Sequence, residues 1–274
     1  MIIISDKPGQ FANLLFVYAN FLAYGFENKV KIKDPAFHAY RFYFKSTSGF
    51  SVSGNKPVYK LCYYLARILV RLHVKSGPIK ALAIDWHEQI DPENAPQLKK
   101  GICFVQGWRF RSDRLLAIHQ IKIRDFFNPA GSFSQKVNSF FAQNFTPGKE
   151  TIIGLHIRRG DYKTFEGGKY YYSIEQYVVI LKNLALLFKN EQVHFLISSN
   201  ETTGLNAADF SGFKITFAPG HELLDLYCLS KCSYIAGPPS TYSMWASFYG
   251  QVPLCMISDP AKTPEKSDFK IHLS

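Results

Sequence analysis

Short apolar runs bounded by turn residues alternate along this chain with longer segments whose apolar residues recur every three or four positions. The first pattern predicts strands and the second predicts amphipathic helices. Residues 2–5 open as a strand, residues 6–10 (DKPGQ) as a turn, and residues 11–26 as a helix with Leu15, Tyr18, Ala19 and Leu22 at helical spacing. Residues 27–57 read as irregular with strand fragments, and residues 58–74 as a basic amphipathic helix. Residues 78–98 read as mostly loop, residues 102–108 as a strand and residues 132–144 as a helix. Residues 121–127 carry no clear pattern before the break at Asn128-Pro129.

The second half is more regular. Residues 151–156, 193–198, 214–217, 234–236 and 252–257 read as strands. Helices fall between them: one capped by Ser173 and running to about residue 190, one from His221-Glu222 through Cys228, and one from Ser240. Strands alternating with helices predict an α/β fold with parallel, doubly wound sheets. The stretch Thr146-Pro147-Gly148-Lys149 is the expected boundary, giving an amino-terminal lobe over residues 1–148 and a second lobe over 149–274.

Composition narrows this picture. The 274 residues are 47% hydrophobic and include 24 Phe and 16 Tyr, enough for a real core with aromatic faces left over for a sugar. The five cysteines (Cys62, Cys103, Cys228, Cys232, Cys255) form no CxxC pair and have no matching Cys/His pair at zinc spacing. Cys228 and Cys232, four apart on one face of an expected helix, read as small core residues, and the chain reads as reduced and cytoplasmic. No signal peptide or membrane span is expected, since the longest near-apolar stretch, residues 14–26, is too short and contains Asn20.

The formal charge of +11 is unevenly distributed. Residues 1–150 hold 21 basic against 10 acidic residues, and residues 151–274 hold 11 of each. Residues 35–84 carry Arg41, Lys45, Lys56, Lys60, Arg67, Arg71, Lys75 and Lys80 without one acid. Such a block suits an anionic membrane surface or an acidic acceptor, and next a plain solvated face. Nucleic acid ranks last, because no recognised nucleic-acid motif is present.

The chemistry concentrates in IIGLHIRRGDY, residues 152–162. A buried strand runs into His156, Arg158, Arg159 and Asp161, at the strand end where open α/β sheets place ligands. Adjacent arginines suit a phosphate, because a guanidinium is always charged and grips two oxygens at once. Taken alone, the run also suits a solvated loop in which Asp161 is an ion-pair partner. Two further loops fall at strand ends. Ser198-Ser199-Asn200-Glu201 is one, and Gly237-Pro238-Pro239-Ser240-Thr241-Tyr242-Ser243 is the other. The latter puts hydroxyls and backbone N–H groups at a helix start, which suits either an anion or ordinary capping. The chain has no D-x-D motif to hold a metal, so a diphosphate leaving group would need fixed positive charge and N–H donors.

These residues resemble a family. HIRRGDY is similar to the HxRRxD pattern of α-1,2-fucosyltransferases, which recurs in α-1,6- and protein O-fucosyltransferases. GQFANLLFVYA resembles their amino-terminal G-x-x-x-N-x-x-F-x-Y-A stretch, and DLYCLSKCSYIAGPPSTYSMWASFYG resembles their carboxyl-terminal segment. The chain departs from the pattern at Ala12, Leu14 and the SMWA run. The resemblance implies a GT-B-like architecture of two Rossmann-like lobes, with the nucleotide-sugar site in the cleft. It implies that Arg158 neutralises the β-phosphate, with His156 near the nucleotide. Asn200 stands where the family often has an acidic residue near the base, and Ser240, Thr241 and Ser243 would line the phosphates. Gly9 and Gln10 would approach the pyrophosphate from the other lobe. Asn13, Arg159, Ser198 and Ser199 complete the donor-binding set.

The expected activity is inverting, metal-independent transfer of fucose from GDP-fucose to a glycan hydroxyl, α-1,2 to a galactoside by the resemblance. No cofactor is expected. Asp161 and then Glu222 are the candidate bases, each with a structural alternative: orienting an arginine, or sitting in a helix first turn. The acceptor could be lipid-linked, at the inner face of a membrane. The alternatives are another nucleotide-sugar donor, or a non-catalytic protein that binds glycan or polyanion.

Overall fold

The computed structural model describes residues 1–6, 9–48, 56–83, 95–146, 148–201 and 205–273. They form two compact units, Met1–Gly131 and Ser132–Leu273.

The first unit contains β1 (Ile2–Ile4), α1 (Phe11–Asn28), β2 (Ile32–Lys33), α2 (Lys45–Ser48), α3 (Lys56–Arg71), β3 (Lys75–Ser76), β4 (Ile79–Ala83), β5 (Ile102–Gln106) and α4 (Asp113–Phe126). A 3-10 segment, Pro35–Tyr43, follows β2 and is capped by Asp34, whose Oδ1 accepts the Ala36 and Phe37 amides. The sheet order is β2-β1-β5-β4-β3, parallel except for β3 against β4. Helix α1 is buried along nearly its whole length. Its one polar interior residue, Asn20, is satisfied by accepting the Ser112 amide and donating to the Phe16 carbonyl. Much of the aromatic content packs here. Phe21 stacks on Phe110 at 4.3 Å, and Tyr18, Phe37, Phe44 and Phe127 meet edge-on or tilted.

The second unit contains α5 (Gly131–Asn144, entered from the first unit's last residue), β6 (Thr151–Ile157), α6 (Ile174–Leu187), β7 (Val193–Ser199), β8 (Ile215–Phe217), α7 (Glu222–Leu229), β9 (Tyr234–Gly237), α8 (Thr241–Gly250) and β10 (Leu254–Met256). Its sheet is wholly parallel, in the order β10-β9-β6-β7-β8. The chain winds outward from β6 through β7 to β8, then returns to β9 on the other side of β6. The winding direction reverses between β6 and β9, which is the switch point where such sheets open a crevice. Strand alternation assigns the faces. Ile153, Leu155 and Ile157 pack with Tyr177, Ile180, Leu181 and Leu184 of α6. Gly154 faces α7, and a Cβ there would lie 2.6 Å from Leu229.

The structure corrects the sequence expectation in places. Residues 79–83, expected in a loop, form β4 and pair with β5 over five residues. Residues 121–126 continue α4. The expected irregular stretch 27–57 contains a nine-residue 3-10 segment and α2. The rest of the predicted loop, residues 84–94, lies outside the described residues, as do parts of the DKPGQ turn and of the expected boundary at 146–149. The compact units divide at Gly131/Ser132, with α5 in the second, where Phe145 packs on His194 at 4.6 Å. Cys103, Cys228, Cys232 and Cys255 are buried thiols, and Cys62 is exposed. No helix among the described residues is long and apolar enough to cross a membrane.

Candidate functional site

The loops leaving β6 and β9 flank the switch point of the second unit. His156, two residues after Gly154, points to the same face as α8. Its Nδ1 lies 3.3 Å from Ser243 Oγ in the first turn of α8, and its ring lies 5.0 Å from Tyr242. Gly237 lets β9 approach this residue closely: a Cβ there would fall 2.5 Å from the His156 carbonyl oxygen. Burial first, and then the Arg158 charge, lower the His156 pKa to about 3, so the imidazole is neutral at physiological pH.

The two arginines divide. Arg158 is buried at 8% exposure; its Nη2 donates to Asp161 Oδ2 at 2.8 Å, and its guanidinium lies 5.1 Å from the Tyr162 ring. Its backbone N–H donates to the Tyr177 hydroxyl of α6. Arg159 turns instead to Tyr171, donating to its hydroxyl at 2.9 Å, with Glu201 Oε2 at 3.9 Å. The turn between them is held from β7. Asn200 Oδ1 accepts the Arg159 amide, Asn200 Nδ2 reaches Asp161 Oδ1 at 3.5 Å, and Glu201 accepts the Gly160 amide. Gly160 has φ +46°, and a Cβ there would fall 2.9 Å from Asn200 Nδ2. This position therefore needs glycine for both conformation and space.

Tyr162 ties the loop to the start of α8, donating to the Pro239 carbonyl at 2.6 Å. Ser240 caps α8 by accepting the Tyr242 amide, and Ser243 Oγ donates back to the Ser240 carbonyl. The amides of a first helical turn point out along the axis at the positive end of the helix dipole. A buried guanidinium and a helix start therefore flank one crevice, which supplies the positive charge and N–H donors that an anion needs.

Ser198 is buried on the α7–α8 side and bonds Asp225 and Tyr242. Ser199 closes a local turn with Glu201. Asp225 accepts the Gly220 and His221 amides, and burial raises its pKa to about 6. Glu222 is exposed at the first turn of α7, and its carbonyl accepts the Tyr242 hydroxyl at 2.7 Å. In the first unit, Gly9 (φ +56°), Gln10 and Asn13 build the entry to α1, with Gln10 at the N-cap and the Asn13 amide folded over Gly9. Sequence reasoning brought His156, Arg158, Asp161, Asn200, Ser240 and Ser243 to one place. It named Tyr162, Glu201 and Asp225 only inside their motifs, without a role, and it missed Tyr177. The Y of GDY and the D of ELLDLY were the available signals. Among the described residues, no group of three or more His, Cys, Asp or Glu could hold a metal ion.

The architecture is of the GT-B type: two α/β units, each on a five-stranded, mainly parallel sheet. Among solved structures, it is similar to the α-1,6-fucosyltransferase NodZ from Bradyrhizobium, co-crystallised with GDP, at TM-score 0.59 and 13% identity over 93% of this chain and 94% of that one. It is similar to a FUT1 variant from Arabidopsis thaliana in complex with GDP, at TM-score 0.62 and 12% identity over 97% of this chain and 70% of that one. It is also similar to POFUT1 in complex with GDP, at TM-score 0.54 and 9% identity over 92% of this chain and 95% of that one. At these identities the likeness is one of fold. No protein-family model matches the chain, and no curated protein sequence matches it.

Proposed function

We propose that this protein transfers fucose from GDP-fucose to a hydroxyl of a glycan, with inversion, without a metal and in α-1,2 linkage to a galactoside. The observation that carries the reading is the buried Arg158 beside the start of α8, at the switch point of a fold shared with fucosyltransferases whose structures hold GDP. In this reading the acceptor oxygen attacks the anomeric carbon as the bond to the β-phosphate breaks. Charge developing on the departing diphosphate is met by Arg158 and the α8 amides, fixed in place before reaction. Asp161 already accepts from Arg158, so it acts as a positioning residue. The proton then goes to Glu222 or to the departing phosphate. Thermal stabilisation tests this. GDP and GDP-fucose, with EDTA present, should stabilise the wild type more than UDP-galactose does, and Arg158→Ala should lose the effect. Equal response to every nucleotide, or none, overturns the reading.

The acceptor is read as lipid-linked and presented at an anionic membrane surface, and α3 favours this. Tyr63, Ala66 and Val70 are buried, while Leu61, Tyr64, Leu65, Ile68 and Leu72 form an outward stripe, each about half exposed or more. Lys60, Arg67 and Arg71 lie along one flank of that stripe by helical spacing. An exposed apolar stripe bordered by cations fits a bilayer interface with anionic lipid. Vesicles of phosphatidylcholine with phosphatidylglycerol should sediment the wild type, and the Leu65→Ser, Ile68→Ser pair should abolish this. Equal sedimentation of both proteins removes the membrane from the reading.

A further inference from the structure

The first unit carries a cation that the proposed donor chemistry does not use. Strand β5 ends in Gln106 and runs through Gly107-Trp108-Arg109-Phe110-Arg111 to Ser112, which caps α4 by accepting the Leu115 amide. Arg111 therefore lies at the carboxyl end of the parallel strands, the side on which such sheets bind ligands. Its guanidinium lies 4.6 Å from the Trp108 ring and 5.6 Å from the Phe16 ring of α1. Its Nη1 is fully buried and has no hydrogen-bond partner among the described residues. Burial and then the neighbouring Arg109 both disfavour its charge, and Asp113 offsets them only in part.

Aromatic faces stabilise a cation but do not accept its N–H groups in the plane of the fork. A buried guanidinium nitrogen without an acceptor is costly, and proteins satisfy nearly all such groups. The repulsion between Arg109 and Arg111, which Asp113 offsets only in part, is one that a bound anion would relieve.

We propose that Trp108, Arg109 and Arg111, against Phe16, form an anion-binding site on the first unit that takes a phosphate or carboxylate group. Assigning that anion to the acceptor, as a phosphate-bearing or acidic glycan, rests on the fucosyl-transfer reading; the site itself does not. The aromatic walls suit the carbon skeleton that carries the anion, and the Arg111 fork suits a planar pair of oxygens.

The test uses the full chain saturated with GDP, so that the second unit's phosphate site is filled. Inorganic phosphate and glucuronate are titrated separately by calorimetry. The wild type should bind at least one of them. Arg111→Met, which keeps the bulk between the rings, should weaken that binding at least tenfold, and Arg111→Lys should fall between. In anion-free buffer, Arg111→Met should melt no lower than the wild type, because it removes an uncompensated buried charge. Binding of phosphate alone assigns a phosphate-bearing ligand, and binding of glucuronate alone assigns an acidic sugar. Binding of neither by the wild type, or unchanged binding in Arg111→Met and Arg111→Lys, overturns the site. Should GDP itself fail to bind, the proposed function falls, and the same titration in Arg158→Ala still decides this site.

Discussion

Arg158 and Arg111 occupy comparable places, the first directly after β6 and the second five residues beyond β5, each with its guanidinium over an aromatic ring. They differ in what holds them. Arg158 rests on Asp161 at 2.8 Å, and its loop is tied to β7, α6 and the α8 turn by Asn200, Tyr177 and Tyr162. Arg111 has aromatic walls and a like-charged neighbour, which Asp113 offsets only in part. The second unit therefore stores its cation in a preset, neutralised state, which in the proposed function a diphosphate takes over from a half-exposed carboxylate. The first leaves its cation dependent on something that arrives. A preset site favours a fixed reaction centre, whereas a bare one favours selection among ligands by charge.

Removing the preset cation is expected to have the largest effect. Arg158→Ala should lower the turnover of GDP-fucose by about a hundred- to a thousand-fold, the range for deleting one preorganised donor to a developing anion. The fold should survive, since the Arg158 amide keeps its bond to Tyr177. Steady-state kinetics with circular dichroism checks both halves, and near-normal turnover in a folded variant would dismiss Arg158 as the phosphate ligand.

A milder change makes Arg158 resemble Arg111. Asp161→Asn keeps an acceptor near Nη2 but removes the counter-charge. If Asp161 positions Arg158, kcat should fall about tenfold and the acid limb of the pH–rate profile should persist, since that limb belongs to another group. Loss of that limb together with a far larger fall in kcat would make Asp161 the base instead. Either outcome also measures how much of the difference between the two arginines the carboxylate creates.

The two units also differ in how much of them could be read from the chain. In the second, apolar strands alternate with capped helices, and HIRRGDY follows a strand directly, so the fold and the core of the site were legible. In the first, Lys80 interrupts the run of β4, and Ile121-Lys122-Ile123 imitates strand alternation inside α4. Those elements are decided by the pairing of β4 with β5 and by burial of Ile123, neither of which is local. Asp225 was hidden for a similar reason. ELLDLYCL reads as the inward face of a helix, and only the folded chain brings the Gly220 and His221 amides to that carboxylate. Arg111 was invisible as a special residue because its setting, against Phe16 of α1 and beside Trp108 and Arg109, joins segments far apart in the chain.

The smallest expected effect concerns the price of placing Arg158 beside a buried imidazole. His156 is neutral when folded, with its pKa lowered to about 3 by burial and by Arg158, whereas the unfolded chain protonates this group near its ordinary value of about 6.5. The unfolded state thus binds the extra proton between those values. The contribution is intact above about pH 6.5 and is lost as pH falls toward 3, at about 1 kcal/mol per unit. Asp225 acts in the opposite sense. Its folded pKa is raised to about 6, so acidification from there toward its ordinary value near 4 favours the folded state. The two partly cancel in the wild type, and comparison with His156→Asn separates them, because that variant keeps a side-chain amide facing Ser243. Urea unfolding from pH 7 to pH 4 should show a gap that moves in favour of the variant as pH falls, by close to one proton's linkage. Parallel curves would mean that the folded site admits a proton at His156, and that burial, with Arg158 second, opposes the imidazolium less than this setting implies.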